Sequence, residues 1–396
     1  MIPDIDSEIG LLCYSTEFPG CGGQIRYSPE DFKVSEVISP KIESSIKDTG
    51  DYPVYSLKKT RIDTNHALSS LFKKTGFRLR SLGLKDAKAV TTQYVYSNAK
   101  TAGLERFETD KYSVRRLGYT GRPLSKKHMI GNRFSIKVRN NAPFDSFDEH
   151  HRVLNFYGYQ RFGSARPVTH LIGKALVQKQ YSDAIHYLLS HTSKYDTEEN
   201  TRIREQMQDA SKLGEIYEQI PPQMDLERKI ASELIEHGDA LKAIRSLPVE
   251  MRRFYVQAYQ SYIFNLTLSH TFDLGEELFS SRDGDVCYGN GVLGKHVDGL
   301  DQSLAIPVVG YSYYKKTRFH FHISKILERE GVSPRDFYMK EMQEASNEGG
   351  FRNAAVRVDD FAVSGDTASF LLSRGSFATV VMREIMKPDE PLQSGF

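Results

Sequence analysis

The sequence predicts an α+β fold whose chain is interrupted by a largely helical insert. Three observations predict it. Apolar residues alternate with period two in the first third, recur at helical spacing through the middle, and alternate again after about residue 350. At 396 residues the chain is too long for one ordinary core, and suits two domains or one domain carrying a large insertion.

Taken in order, "DFKVSEVI" (31–38) alternates as a half-buried strand does. "NHALSSLFKKTG" (65–76) sets apolar residues at helical spacing and closes on a glycine, and "AVTTQYVYS" (89–97) and "NRFSIKVRN" (132–140) alternate again. "HHRVLNFYGYQRFG" (150–163) reads as a short helix breaking into a glycine-marked loop. From about 166 to 270 the pattern is helical, with Leu226, Ile230 and Leu234 on one stripe and Tyr255, Ala258, Tyr259, Tyr262, Ile263 and Leu266 on another. The second stripe is expected to be core packing rather than a ligand box, because a buried helix needs such a face. Turns follow at 283–303, then "YSYYKKTRFHFHIS" and a last helical piece ending near 347–350; the segment 352–386 returns to hairpin-like strands and a closing helix.

The composition is that of a soluble globular chain, and its longest apolar runs, such as "LAIPVV" (304–309), fall far short of a membrane span. "MIPDIDSEIG" carries acids where a signal peptide needs a basic region, so a cytoplasmic location is expected. Cys13, Cys21 and Cys287 form neither a CxxC pair nor an even disulfide set, which fits a reducing compartment and speaks against structural zinc. Lys+Arg (53) nearly balances Asp+Glu (51), but nine Lys/Arg and no acid lie between Lys111 and Arg139, and eight against Asp63 alone between Leu57 and Lys85. Such clusters attract phosphates whatever the base sequence, and Tyr112, Tyr119 and Phe134 offer rings for stacking. The competing reading is a solvated basic face with its aromatics in the core.

"GNGVLGK" (289–295) has the Gly-x-Gly-x-x-Gly spacing of a dinucleotide loop, but "HVDGLDQS" follows instead of a helix, so a hairpin turn is expected. Walker A, HExxH and GxSxG patterns are missing, and His320 and His322 are expected as packed or surface neighbours on one strand face rather than metal ligands. What remains is a carboxylate without a metal. In "GLKDAKAVTTQYV" (83–95), Asp86 stands in a glycine-led turn just before a strand. Such an Asp is a turn cap or surface charge, or else a nucleophile or base kept ionised by a nearby cation.

"GLKDAKAVTTQYV" resembles the signature of the TruD pseudouridine synthases, and "SPEDFKVSEV" (28–37), "NFYGYQRFG" (155–163) and "RGSFATVVMREI" (374–385) resemble other motifs of that family in the same order. The middle of the chain matches more loosely, as the family's inserted domain is variable. Its length, and Tyr157 where many bacterial members have Phe, look like the archaeal and eukaryotic branch. The resemblance implies an α+β pseudouridine-synthase catalytic domain with a mixed or antiparallel sheet over 1–165 and 350–396, and a largely helical TRUD domain inserted over 166–349. It implies isomerisation of a tRNA uridine to pseudouridine, typically at position 13, with no cofactor and no metal, and tRNA held in a cleft between the domains.

The family's catalytic aspartate falls on Asp86. Phe32 and Phe377 match pocket-lining positions around the target nucleoside, Asn155 an amide that binds a uracil edge or holds the Asp86 loop, and Tyr157 the aromatic that stacks on the base. Arg26 and Lys85 are both candidates for the cation beside Asp86. Gln93 and Arg161 are expected as scaffold. Chemistry on a base within folded RNA requires unstacking it. Asp86 is then expected to assist glycosidic cleavage, by attack on C1′, attack on C6 or action as a base at C2′, after which the uracil turns and rejoins through C5. The alternatives are an RNA-binding or chaperone protein on the same fold, and a synthase acting mainly on another RNA or another uridine.

Overall fold

A computed structural model of the chain describes residues 1–85, 87–100, 103–289 and 291–396. They form two compact units, Met1–Ser15 with Leu154–Ala355, and Thr16–Val153 with Val356–Phe396.

The unit containing Thr16–Val153 is organised by a mixed sheet, nine-stranded among the described residues. Its order runs Asp359–Ser364, Thr367–Ser373, Met129–Lys137, Phe32–Ile38, Val90–Tyr96, Tyr52–Lys59, Tyr112–Thr120 and Arg106–Glu108, with Arg80–Ser81 also pairing on Val90–Tyr96. The strands expected at 31–38, 89–97 and 132–140 are all present. Phe32–Ile38 and Val90–Tyr96 pair in parallel, with Lys33 opposite Val90, so both begin at the same edge of the sheet. That edge receives the loop through Lys85 and Ala87, and Phe32 starts the neighbouring strand.

The expected helix spans Thr64–Thr75: the Asp63 side chain caps it by accepting the His66 N–H, and Gly76 ends it at φ 75°, where a side chain would be strained. Ala67 and Leu71 on its inner face pack with Tyr55, Leu57, Val95 and Val114 of the sheet. The closing helix, Ala378–Met386, is buried along its whole length, Arg383 and Glu384 included. Glu384 Oε2 accepts from both the backbone N–H and the hydroxyl of Thr16, each at 3.1 Å. Downstream of Thr16, Cys21 N–H bonds Ile385 O and Ile25 N–H bonds Ser394 O, both at 2.9 Å.

The unit containing Leu154–Ala355 is mainly helical around Val249–Asp273, on which Tyr255, Ala258, Tyr259, Ile263 and Leu266 are buried as the stripe required; Tyr262 is half-buried. Thr169–Val177 crosses this helix at Gly173, where a Cβ would stand 2.0 Å from Tyr255 O, so only glycine permits the approach. The "GNGVLGK" segment is a hairpin: Val286–Gly289 pairs antiparallel with Val292–Lys295, while Asn290 lies outside the described residues.

Two expectations are corrected. Residues 150–163 hold no α-helix but a short strand, Arg152–Leu154, and a single 3-10 turn, Tyr159–Arg161; the unbroken burial from Val153 to Phe156 suits an extended core segment. His320 and His322 lie on a helix, His320–Glu330, not on a strand, and residues two apart do not share a helix face.

Candidate active site

Asp86 lies outside the described residues, yet the chain on both sides of it is firmly held. On the N-terminal side, Lys85 N–H donates to Thr64 Oγ1 (2.9 Å) and Lys85 O accepts from Lys59 Nζ (3.0 Å), which also donates to Ile62 O (2.9 Å). Thr64 in turn donates to Gln93 Oε1 (2.9 Å), and Gln93 Nε2 reaches back to Gly83 O (3.0 Å). On the C-terminal side, Ala87 O accepts from Arg61 N–H (3.1 Å). Lys59, Thr64 and Gln93 are each 1% exposed. Gln93 is thus scaffold, as expected. Lys59 was not singled out in the sequence, although Tyr55, Leu57 and Lys59 alternate on one buried face of their strand.

Lys85 was one candidate cation for Asp86. Its ammonium lies 3.0 Å from Glu36 Oε1, with the side chains 8% and 0% exposed, and Glu36 Oε2 accepts from Tyr94 N–H at 2.9 Å. The ion pair ties the Asp86 loop to both parallel strands. The Lys85 charge is therefore compensated by Glu36.

Arg26, the other candidate, adopts φ 56°, a left-handed backbone conformation uncommon for a residue with a side chain. Its guanidinium carbon lies 4.2 Å from the centroid of the Phe32 ring, and Nη1 reaches Gly395 O at 3.5 Å. Asp31 fixes the turn between them: it accepts from Ser28 N–H (3.0 Å) and takes a two-point bond from Arg139, Nε at 2.8 Å and Nη2 at 2.9 Å. The Arg139 guanidinium holds the Asp31 carboxyl below the usual carboxylate range. Phe32 is buried, edge-on to Phe134 at 6.2 Å, and the half-buried Phe377 caps the start of the closing helix.

In the other unit, Asn155 and Tyr157 share one support. Asn155 Oδ1 accepts from Arg352 Nη2 (2.7 Å), Asn155 O accepts from Arg352 Nε (3.0 Å), and Asn155 Nδ2 donates to Asn353 O (3.0 Å). The Arg352 guanidinium carbon also lies 4.1 Å from the Tyr157 ring centroid. Burial pulls Arg352 below the usual arginine range. Tyr157 is held through its backbone by Asn265, fully buried on the long helix: Oδ1 accepts Tyr157 N–H (2.8 Å) and Nδ2 donates to Tyr157 O (3.1 Å) and Ile9 O (2.9 Å). Phe264 meets the Tyr157 ring edge-on at 5.6 Å. Arg352 and Asn265 went unnoticed in the sequence; an asparagine between the buried Phe264 and Leu266 was the available signal for the second.

The described residues contain no group of three or more His, Cys, Asp or Glu that would hold a metal ion, and no helix long and apolar enough to cross a membrane.

Residues 8–385 match the family model described as tRNA pseudouridine synthase D (TruD). A relative from Pyrobaculum islandicum named "Probable tRNA pseudouridine synthase D" is 32% identical, the alignment covering 100% of this chain and 99% of that one. One of the same name from Archaeoglobus fulgidus is 30% identical over 97% and 100%. The fold also matches the crystal structure named "Putative tRNA pseudouridine synthase D (TruD)" from Methanosarcina mazei, with TM-score 0.79, 28% identity and 99% of each chain covered. With the motif order, the mixed sheet and a match over nearly its whole length, the chain belongs to the tRNA pseudouridine synthase D (TruD) family.

Proposed function

We propose that this protein isomerises uridine 13 of tRNA to pseudouridine, with Asp86 as its catalytic residue and no cofactor, in the cytoplasm. The observation that carries the assignment of Asp86 is the bracing around it: a buried lysine, a buried threonine, a buried glutamine and a buried ion pair converge on Gly83 and Lys85, and the Arg61 backbone N–H holds Ala87 O. A surface turn needs no such bracing, whereas a reacting carboxylate must be held to within a fraction of an ångström. Arg26 is the preferred cation for Asp86, since Lys85 is already paired with Glu36. In this reading residues 1–165 and 350–396 make the catalytic domain and 166–349 the inserted one.

The reaction is an isomerisation. The N1–C1′ bond breaks, the uracil turns, a C5–C1′ bond forms, the C5 proton leaves and N1 gains one. Phe32, Phe377 and Tyr157 would wall the turning base, Tyr157 by stacking, and Asn155 would hold Tyr157's surroundings through Arg352. The test is site-resolved pseudouridine mapping of an unmodified tRNA transcript after incubation with the protein or with Asp86→Ala. One modified position, lost with Asp86→Ala, is expected. Tight tRNA binding without any pseudouridine would move the assignment to an RNA-binding protein, and modification of a different uridine or only of other RNAs would overturn the position or the substrate.

A further inference from the structure

Arg161 ends the 3-10 turn that follows Tyr157. Its guanidinium carbon lies 5.4 Å from the Tyr157 ring centroid and 5.3 Å from that of Phe254. Among the described residues its side chain has ring contacts alone, with neither a hydrogen bond nor a carboxylate partner. Other sheltered arginines of the same unit are saturated. Arg166 donates to Tyr187 O, Leu188 O and His191 O, Arg204 to Asp196, Glu227 and two carbonyls, and Arg318 to Asp285, Glu276 and Glu277 O.

Burial pulls Arg161 below the usual arginine range, and its charge helps to lower Arg352, which lies on the same tyrosine ring. Its nitrogens still reach solvent, where an acceptor from outside can meet them. The group has donors only and a full charge, so its complement is an anion with paired oxygens. A phosphodiester fits that fork, whereas uracil offers single neutral carbonyl oxygens and an N3–H that Arg cannot accept.

We infer that Arg161 binds a backbone phosphate of the RNA next to the target nucleotide, and so serves as a substrate-binding residue rather than scaffold. The inference rests on the proposed role of Tyr157 at the target base. Phosphate contacts position a nucleic acid without reading its sequence, so Arg161 fixes where the strand runs past Tyr157.

The experiment uses Arg161→Met, which keeps the stem between the two rings but removes charge and fork, and Arg161→Lys, which keeps the charge. tRNA affinity is measured from 50 to 200 mM chloride, free of phosphate, and single-turnover pseudouridine formation at saturating tRNA. Arg161→Met is expected to weaken binding about tenfold and to reduce the slope of log Kd against log salt by about one. Its rate at saturation stays within about threefold of the unsubstituted protein, because the contact positions substrate and does not enter the bond changes. Arg161→Lys keeps the slope. An unchanged slope and affinity in Arg161→Met would overturn the inference, as would a lost rate with unchanged affinity. If Arg161→Met does not fold, Arg161→Gln carries the same two readouts. Failure of the unsubstituted protein to form pseudouridine would instead strike the proposed function.

Discussion

Replacing Glu36 by Gln tests the bracing of the Asp86 loop most directly. The change keeps an acceptor for Tyr94 N–H but leaves the Lys85 ammonium buried without its countercharge. Both side chains are almost fully shielded, at 0% and 8% exposure, so solvent does little to soften the loss. Breaking a buried pair by removing one partner typically costs about 3–5 kcal/mol. For a unit of this size each kcal/mol corresponds to about 2–4 °C, so a fall of about 6–20 °C in midpoint is expected. Circular dichroism is the assay, with tyrosine fluorescence beside it, since the chain has no tryptophan. Lys85→Met should lose a comparable amount. The double substitution should lose less than the two losses added, by at least about 1 kcal/mol, because neither ion is then left alone. Single losses below about 1 kcal/mol, the range of exposed pairs, would refute the reasoning, and so would strict additivity.

Other expectations follow from neighbouring features. Lys59→Met removes the donor to Lys85 O, and should lower the single-turnover rate about 100-fold while leaving tRNA affinity unchanged, because a misplacement near 1 Å has that effect. His170, buried against Phe162 and Tyr262, has its pKa pulled by burial from 6.5 to about 3. Below pH 6.5 the unfolded chain binds a proton that the folded one refuses, so stability falls on acidification, by about 2 kcal/mol at pH 5. Urea unfolding of His170→Phe should show a flatter dependence between pH 7 and pH 5; an unchanged slope would rule His170 out as its source. Burial pushes the Cys21 thiol up to about 11, and Cys13 and Cys287 are buried too. A maleimide at pH 7 should therefore label none of them in the folded protein and all of them in urea.

Part of the sheet, the strands at 32–38, 90–96 and 129–137, was legible because alternation is local, whereas Tyr52–Lys59 and Tyr112–Thr120 went unread. The helix at Thr64–Thr75 was legible because Asp63 and Gly76 punctuate it. The misread elements share one cause, a window too short for its pattern. "FHFH" alternates, but Phe319, Ile323, Ile326 and Leu327 step by four, three and one, and it is these that are buried. At the site, motif residues and one support, Gln93, could be named, but Lys59, Glu36, Arg352 and Asn265 could not. Glu36 meets Lys85 across 49 positions and Asn265 meets Tyr157 across 108; nothing local marks Glu36, and the one local sign of Asn265, its place between two apolar residues, does not say what it bonds. The bracing polar groups are chosen by tertiary geometry, which periodicity does not encode.

Each compact unit is sewn from two distant stretches of chain, and this bears on when activity can arise. The segment leading to Arg26 is fastened to residues made much later: Thr16 to Glu384, Cys21 to Ile385, Ile25 to Ser394. On a ribosome adding about 5–20 residues per second, a nascent chain already carrying Asp86, Asn155 and Tyr157 still lacks the strands of 359–373 and the helix that pins its first segment. Contacts of such long sequence separation form late. Chains that stop short of Ser394 lack these fastenings of the Arg26 segment, so on the role proposed for Arg26 competence to modify RNA comes only once the residues through Ser394 have emerged.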